Sequence, residues 1–392
     1  MAKKIFIIMM VFSHLFTIIA EISTGMHNIE TIILVSILLL LSYTLSYGLY
    51  KFISRNTYKK SRISFVISYK RLNYFMSIYL MIMIIYGLAT GDGAAENGGL
   101  GSSSIFASLW VPDAIFYFYY CLCREEYKKN VWFNAIIYVI YKIILGWTGA
   151  IYFIAFYEMY YLLKDKKIKV FKIGLTTLAL YVVGGVFYSY MYPLKYAIRY
   201  GTEFSFSDRL PVVEGISKLV SRLNNFSVSL FVQENVEKVV AVYQRQGIQH
   251  AEFLSAFRPI IPSALFTNKN FSSIGSCIYN AQTGYNGMDI TNNCSIVQYY
   301  WLLFKCDPMT LLLCVILFIV SIYMLKVMCN WLQRKDNEFD MLFFWVVFRS
   351  FAICGTIENS LSNSYLKFIF FVPLLFLLGI IKIRYRWDLN RK

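Results

Sequence analysis

The chain has 392 residues, of which 58% are hydrophobic and only 15% charged, and its mean hydropathy is +0.53. A soluble domain carries about 25% charged residues, so a water-soluble enzyme is excluded, and the absence of a GxxxxGK[ST] loop excludes a nucleotide-driven pump. The net charge of +16 would point to nucleic acid in a soluble protein, but the placement of the basic residues explains it without one.

Apolar runs near the roughly 20 residues that cross a bilayer recur along the chain. The expected fold is all-α, a polytopic membrane protein with about ten spans near 5–20, 31–50, 73–90, 103–123, 131–145, 149–163, 170–192, 309–329, 340–356 and 364–383. Ten crossings put both termini on one side. That side receives 25 of the 38 Lys and Arg, the short loops opposite receive none, and 10 fall within 193–308. Lys142, Arg349 and Lys367 fall inside spans. Basic residues stay cytoplasmic beside short loops, whereas long loops cross largely regardless of charge. Both termini are therefore expected in the cytoplasm, with 193–308 outside. Three regions follow: residues 1–192 with spans one to seven, the outer loop 193–308, and residues 309–392 with spans eight to ten and a cytoplasmic tail.

Lys3 and Lys4 before an apolar run have a signal-like shape but no small-residue cleavage site follows, so this run is expected to be the first span. A short outer turn with His27 leads to span two, and the basic segment 51–72 is expected to meet anionic headgroups. Gly91 to Ser104 is a glycine-rich outer loop, either a connector or a mobile lid. Asp113 enters the next span one residue after a proline, facing a cavity or the interface. Residues 131–163 are expected to form two spans with a break at Gly146 to Gly149, since paired glycines permit a sharp turn. The chain leaves span seven as YSYMYPLKYAIRYG, and one or two of Tyr192, Tyr196 and Tyr200 are candidates for stacking on sugar rings beside an ordinary aromatic belt.

The outer loop reads as a folded helical cap. Ser207 or Asp208 caps a helix in DRLPVVEGISKLVSRL, where Glu214, Lys218 and Arg222 share a face. A second periodic stretch, 226–246, ends at Gly247, and the proline after Arg258 stops a short third helix. Residues 296–308, apolar but interrupted by Lys305, Asp307 and Pro308, are expected along the outer interface. Cys277 and Cys294 are either bridged or free buried thiols. In span nine, Arg349 needs an acidic partner such as Glu358 or a substrate anion.

The candidate chemistry is cationic. Arg199, Arg209, Arg222, Arg258 and Lys269 all lie in the outer loop, and arginine's planar fork binds diphosphate with paired hydrogen bonds and a permanent charge. His250, the loop's single histidine, is a candidate base, with Glu214 and Asp208 as other choices. No HExxH, CxxC pair or EF-hand loop is present, so neither a metal nor another cofactor is expected.

The layout resembles the O-antigen polymerase (Wzy) family of bacterial inner-membrane glycan polymerases. GTEFSFSDRL followed by SRLNNF is similar to the arginine-bearing start of that family's outer loop, and RPIIPSALFTNK to its arginine-proline segment ending in a lysine. TNNCSIVQYYWLLFKCDP departs from the family by lacking its glycine-rich stretch before the next span. The resemblance implies joining of oligosaccharide repeat units carried on undecaprenyl diphosphate. It implies diphosphate-binding roles for Arg222, Arg258 and Lys269, and by a looser match for Arg209; the residues themselves, apart from the resemblance, offer His250 as a catalytic base and Arg199, Arg349 and Tyr200 as further substrate contacts. A chain-length regulator is an implied partner, and no nucleic acid is. A ligase, whose relatives carry a histidine in this loop, and a flippase for the same lipid-linked unit are the alternatives.

Overall fold

The computed structural model describes residues 2–24, 27–54, 63–90, 112–124, 127–144, 153–155, 157–158, 170–200, 202–221, 225–247, 250–257, 273–284, 292–332 and 371–385. Helices dominate them: α1 (Ala2–Thr24), α2 (Ile29–Ser54), α3 (Tyr69–Thr90), α4 (Pro112–Cys123), α5 (Lys128–Ile144) and α6 (Val170–Tyr200). Then come α7 (Val212–Ser221), α8 (Phe226–Glu234), α9 (Val236–Gln244), α10 (Ala251–Phe257), α11 (Ile274–Thr283), α12 (Ile296–Cys306), α13 (Pro308–Leu332) and α14 (Phe371–Leu377). Among the described residues, Ile29–Ile53, Tyr69–Ala89 and Gly174–Lys195 are long and apolar enough to cross a bilayer, and Met10–Ile19 and Pro308–Met324 are shorter apolar stretches. Their outward faces expose Ile33, Ile37, Ile78, Ile85, Leu178 and Val183. Hydrocarbon solvates such a surface and water does not.

Several expectations change. The fold is not purely α-helical: β1 (Ile63–Ile67) pairs antiparallel with β2 (Ile381–Tyr385), with Ile63 opposite Tyr385 and Ile67 opposite Ile381. The span placed at 364–383 therefore ends early. α14 stops at Leu377, and Gly379, at φ +62, takes the left-handed turn that closes the helix and starts the strand. Arg71 Nη1 donates to the Gly379 carbonyl at 3.2 Å and the Ser68 N–H to that of Ile380 at 2.8 Å, which fastens the ribbon to the start of α3.

α6 also runs past the expected break at Pro193, as far as Tyr200. Proline has no N–H to give the carbonyl four residues back, which here is Ser189. The chain returning from the outer loop supplies the missing donor, with the Leu210 N–H 3.0 Å from Ser189 O. A capping box in which Ser205 and Asp208 exchange side-chain and backbone bonds holds the turn before it. Ser205, two residues upstream of the expected Ser207, thus caps a 3-10 turn over Phe206–Asp208, and α7 begins only after Pro211.

A large aromatic core joins α3, α4 and α5, where Phe116 stacks on Tyr138 at 3.8 Å and Tyr117 on Phe153 at 3.6 Å. Asn134 Nδ2 donates to Tyr119 Oη at 2.8 Å, and Ser77 Oγ to Asn134 Oδ1 at 2.7 Å, so a polar network crosses this apolar interface. A second core gathers the outer-loop helices α9 to α12 around the start of α13. Residues 296–306 are expected along the interface but form a packed helix, with Ile296, Gln298, Tyr299, Leu302 and Leu303 buried. Cys277 and Cys294 are buried free thiols in this core.

Candidate functional site

The outer-loop core ends at the α12–α13 junction. Asp307 closes α12 and caps α13: its Oδ1 accepts the Thr310 N–H at 3.0 Å, and its Oδ2 accepts the Thr310 hydroxyl. His250 lies against this cap, with Nδ1 2.7 Å from Thr310 Oγ1 and 3.5 Å from Asp307 Oδ2.

These contacts orient the imidazole. A threonine hydroxyl has one proton, and here it goes to the Asp307 carboxylate. Thr310 Oγ1 can then only accept from His250, so Nδ1 carries a proton. An imidazole oriented through Nδ1 by an acidic partner is the arrangement of a general base. The His250 side chain is 37% exposed. For Asp307, burial pushes the carboxyl up, but the Thr310 and His250 hydrogen bonds and the His250 charge outweigh it and hold the group below its ordinary range.

His250 itself is held at φ +58, and no other non-glycine among the described residues has a positive φ. Such a backbone costs of order 1 kcal/mol or more and persists only where its surroundings enforce it. Two residues on, Glu252 is fully buried. Its Oε1 accepts the Tyr299 hydroxyl at 2.7 Å and its Oε2 the Ile274 N–H at 2.6 Å, so one carboxyl ties α10 to the N-terminus of α11 and to α12. Burial raises its proton affinity, against the opposing pull of those two bonds.

The other expected site residues are distributed differently. Arg209 is exposed just past the α6 exit; its Nη1 donates to Tyr190 Oη at 2.9 Å and its guanidinium lies 5.9 Å from that ring. Phe206 stands beside Tyr190, at 6.4 Å between rings, so a cation and open aromatic faces share one surface. Arg199 and Tyr200 occupy the last turn of α6. Arg222, Arg258, Lys269 and Arg349 lie outside the described residues. Among the described residues no group of three or more His, Cys, Asp or Glu is placed to hold a metal.

Sequence reasoning named His250 but missed its partners. Asp307 and Thr310 form an Asp-Pro-Met-Thr helix start, an N-cap signal visible in the sequence. Nothing local announces that this cap meets a residue 57 positions earlier, or that Glu252 is buried. Compared with protein-family models, curated proteins and solved structures, the chain matches none.

Proposed function

We propose that this chain is a membrane glycosyltransferase that polymerises oligosaccharide repeat units carried on undecaprenyl diphosphate, at the outer face of a bacterial inner membrane, as an O-antigen polymerase does. The reading adds to the membrane-helix architecture ten spans with both termini in the cytoplasm, and an outer loop that holds the reacting groups. The observation that supports it is His250, held through Nδ1 by Thr310 and Asp307 at the head of an apolar helix with its side chain 37% exposed.

In this reaction a sugar hydroxyl of the acceptor unit attacks the anomeric carbon of the donor glycan. The bond from that carbon to the phosphate oxygen breaks, undecaprenyl diphosphate leaves as an anion, and His250 Nε2 takes the hydroxyl proton. Preorganised cations stabilise the charge developing on the leaving group, a role given to Arg222 and Arg258 with Lys269 assisting. Arg209 and Phe206 offer a cation and a ring face to a sugar, Arg199 and Tyr200 border the same exit, and Arg349 is assigned to a phosphate within the membrane. No metal or nucleotide takes part, and a chain-length regulator is the protein partner.

A ligase uses the same donor but a different acceptor, and a flippase performs no transfer. Deletion of the gene separates them. Single repeat units on the cell surface mark a polymerase, long polymer retained on the carrier lipid marks a ligase, and units trapped inside mark a flippase.

A further inference from the structure

The helices that open the outer loop do not sit above the spans; they descend between them. α7 runs back along α6, with the Leu210 N–H on Ser189 O and then Gly215, Ile216 and Leu219 against Ser189, Gly185 and Gly184. The seam is tight enough that a Cβ on Gly185 would lie 2.1 Å from Ile216 Cγ1, and one on Gly215 2.4 Å from Gly185 O. At its far end Ser13 Oγ donates to Val220 O at 3.3 Å. α8 then returns along α2, burying Phe226 and Leu230 against Ile32, Val35 and Leu39. It ends where Glu234 Oε1 meets His27 Nδ1 at 2.8 Å, beside the α1–α2 connection.

Three helices give the depth independently. At about 1.5 Å per residue, Ser13 lies about 16 Å below the Thr24 end of α1 and Leu39 about 15 Å below the Ile29 end of α2. Gly184 lies about 16 Å below Lys195, where the apolar stretch of α6 ends. Half of a hydrocarbon core of about 30 Å is the same distance. α7 exposes Val212 and Val213, which suits lipid better than water. The Lys218 ammonium reaches the Tyr192 ring at 5.3 Å, two turns nearer the outer end than Gly184, as a snorkelling lysine does.

A second observation gives the tip a purpose. His14 is 3% exposed, its ring 5.1 Å from that of Phe226 and 6.3 Å from that of Tyr43. Both of its ring nitrogens and the Tyr43 hydroxyl are buried without a hydrogen-bond partner. Buried polar atoms are paired as a rule, so three together mark a place for a guest.

We infer that α7 and α8 form a re-entrant helical pair whose facing ends, at Ser221 and Phe226, lie at the middle of the bilayer. There Phe226 closes over a polar site between His14 and Tyr43 that takes one small hydrogen-bonding group, a water molecule or a hydroxyl. The inference needs only a chain lying in a bilayer and is independent of the activity proposed above.

Two measurements on the full chain in lipid bilayers test it. Nitroxide labels at Asp208, Val213, Ser217 and Glu237 report depth through the ratio of oxygen to nickel-chelate collisions. The ratio should rise in the order Asp208, Val213, Ser217 and be aqueous at Glu237. An aqueous ratio at Ser217 would overturn the re-entrant pair, as would a Ser217 ratio unmoved by Gly185→Leu, which wedges the seam apart. The second measurement is thermal unfolding of His14→Phe and His14→Leu. Loss of a bound guest lowers both midpoints, whereas an empty site predicts higher ones because an unpaired imidazole has been removed. A rise in either midpoint removes the site.

Discussion

The Leu210 N–H donates to the carbonyl of Ser189, at 3.0 Å, the acceptor that Pro193 leaves unclaimed inside α6. A residue that ordinarily ends a helix thus provides the docking point for the chain's return. Pro193→Ala restores an intrahelical donor that competes for this carbonyl. A typical hydrogen bond contributes about 1 kcal/mol, so amide exchange at Leu210 should quicken about five-fold while the middle of α6 is unchanged. Unaltered exchange at Leu210 would show that the proline plays no part in docking.

His250→Asn separates chemistry from folding. Asparagine accepts a positive φ more readily than most residues, so the variant should fold normally while transfer falls by about 10²- to 10⁴-fold, the usual worth of a positioned base. Thr310→Val removes the acceptor of the Nδ1 proton but leaves Asp307 3.5 Å away, and a loss of about ten-fold is expected. The rate of glycan extension on purified lipid-linked units reads both. Equal activity in wild type and His250→Asn would remove the base.

Asp307 and Glu252 predict opposite limbs of a stability profile. The Asp307 carboxyl is held below its ordinary 3.8, so its contribution is complete above that pH and disappears as pH falls through the lowered native value. The Glu252 carboxyl is raised above 4.5, so its contribution is complete below that pH and disappears as pH rises through the raised native value. Asp307→Asn should flatten the acid limb of the unfolding midpoint and Glu252→Gln the limb above pH 4.5. Profiles that coincide with wild type would show that neither group is coupled to folding.

Asn134→Leu deletes the centre of the Tyr119, Asn73 and Ser77 network, in which Asn134 is fully buried. Leaving buried polar groups unpaired costs about 1–3 kcal/mol. The unfolding midpoint of the detergent-solubilised protein should fall with no change in transfer per folded molecule. A drop in specific activity would move this network from scaffold to site.

Arg258→Ala should leave single repeat units in place of polymer, and Arg258→Lys should recover only part of the chain length, since lysine cannot make the forked contact with diphosphate. Long chains from both variants would defeat the diphosphate assignment.

Part of the scaffold was legible because a bilayer imposes length and apolarity on each span: expected spans at 31–50, 73–90 and 170–192 correspond to Ile29–Ile53, Tyr69–Ala89 and Gly174–Lys195, each long and apolar enough to cross. Gly247, at φ +65, ends the periodic stretch as expected, although that stretch divides at Asn235 into two helices. The ribbon was illegible because IKIRY continues an apolar run and its partner ISFVI lies at the other end of the chain. The site was half legible. A lone loop histidine is visible in sequence, but its orientation comes from Asp307 and Thr310, brought in by tertiary packing.

The pairing of Ile67 with Ile381 and Ile63 with Tyr385 spans more than 300 residues, so β1 has no mate until Ile381–Tyr385 has been synthesised. A product truncated before Ile381 would carry an orphaned edge able to pair with strands of other molecules. Quality control acting on that edge would distinguish chains that have gained β2 from those that have not.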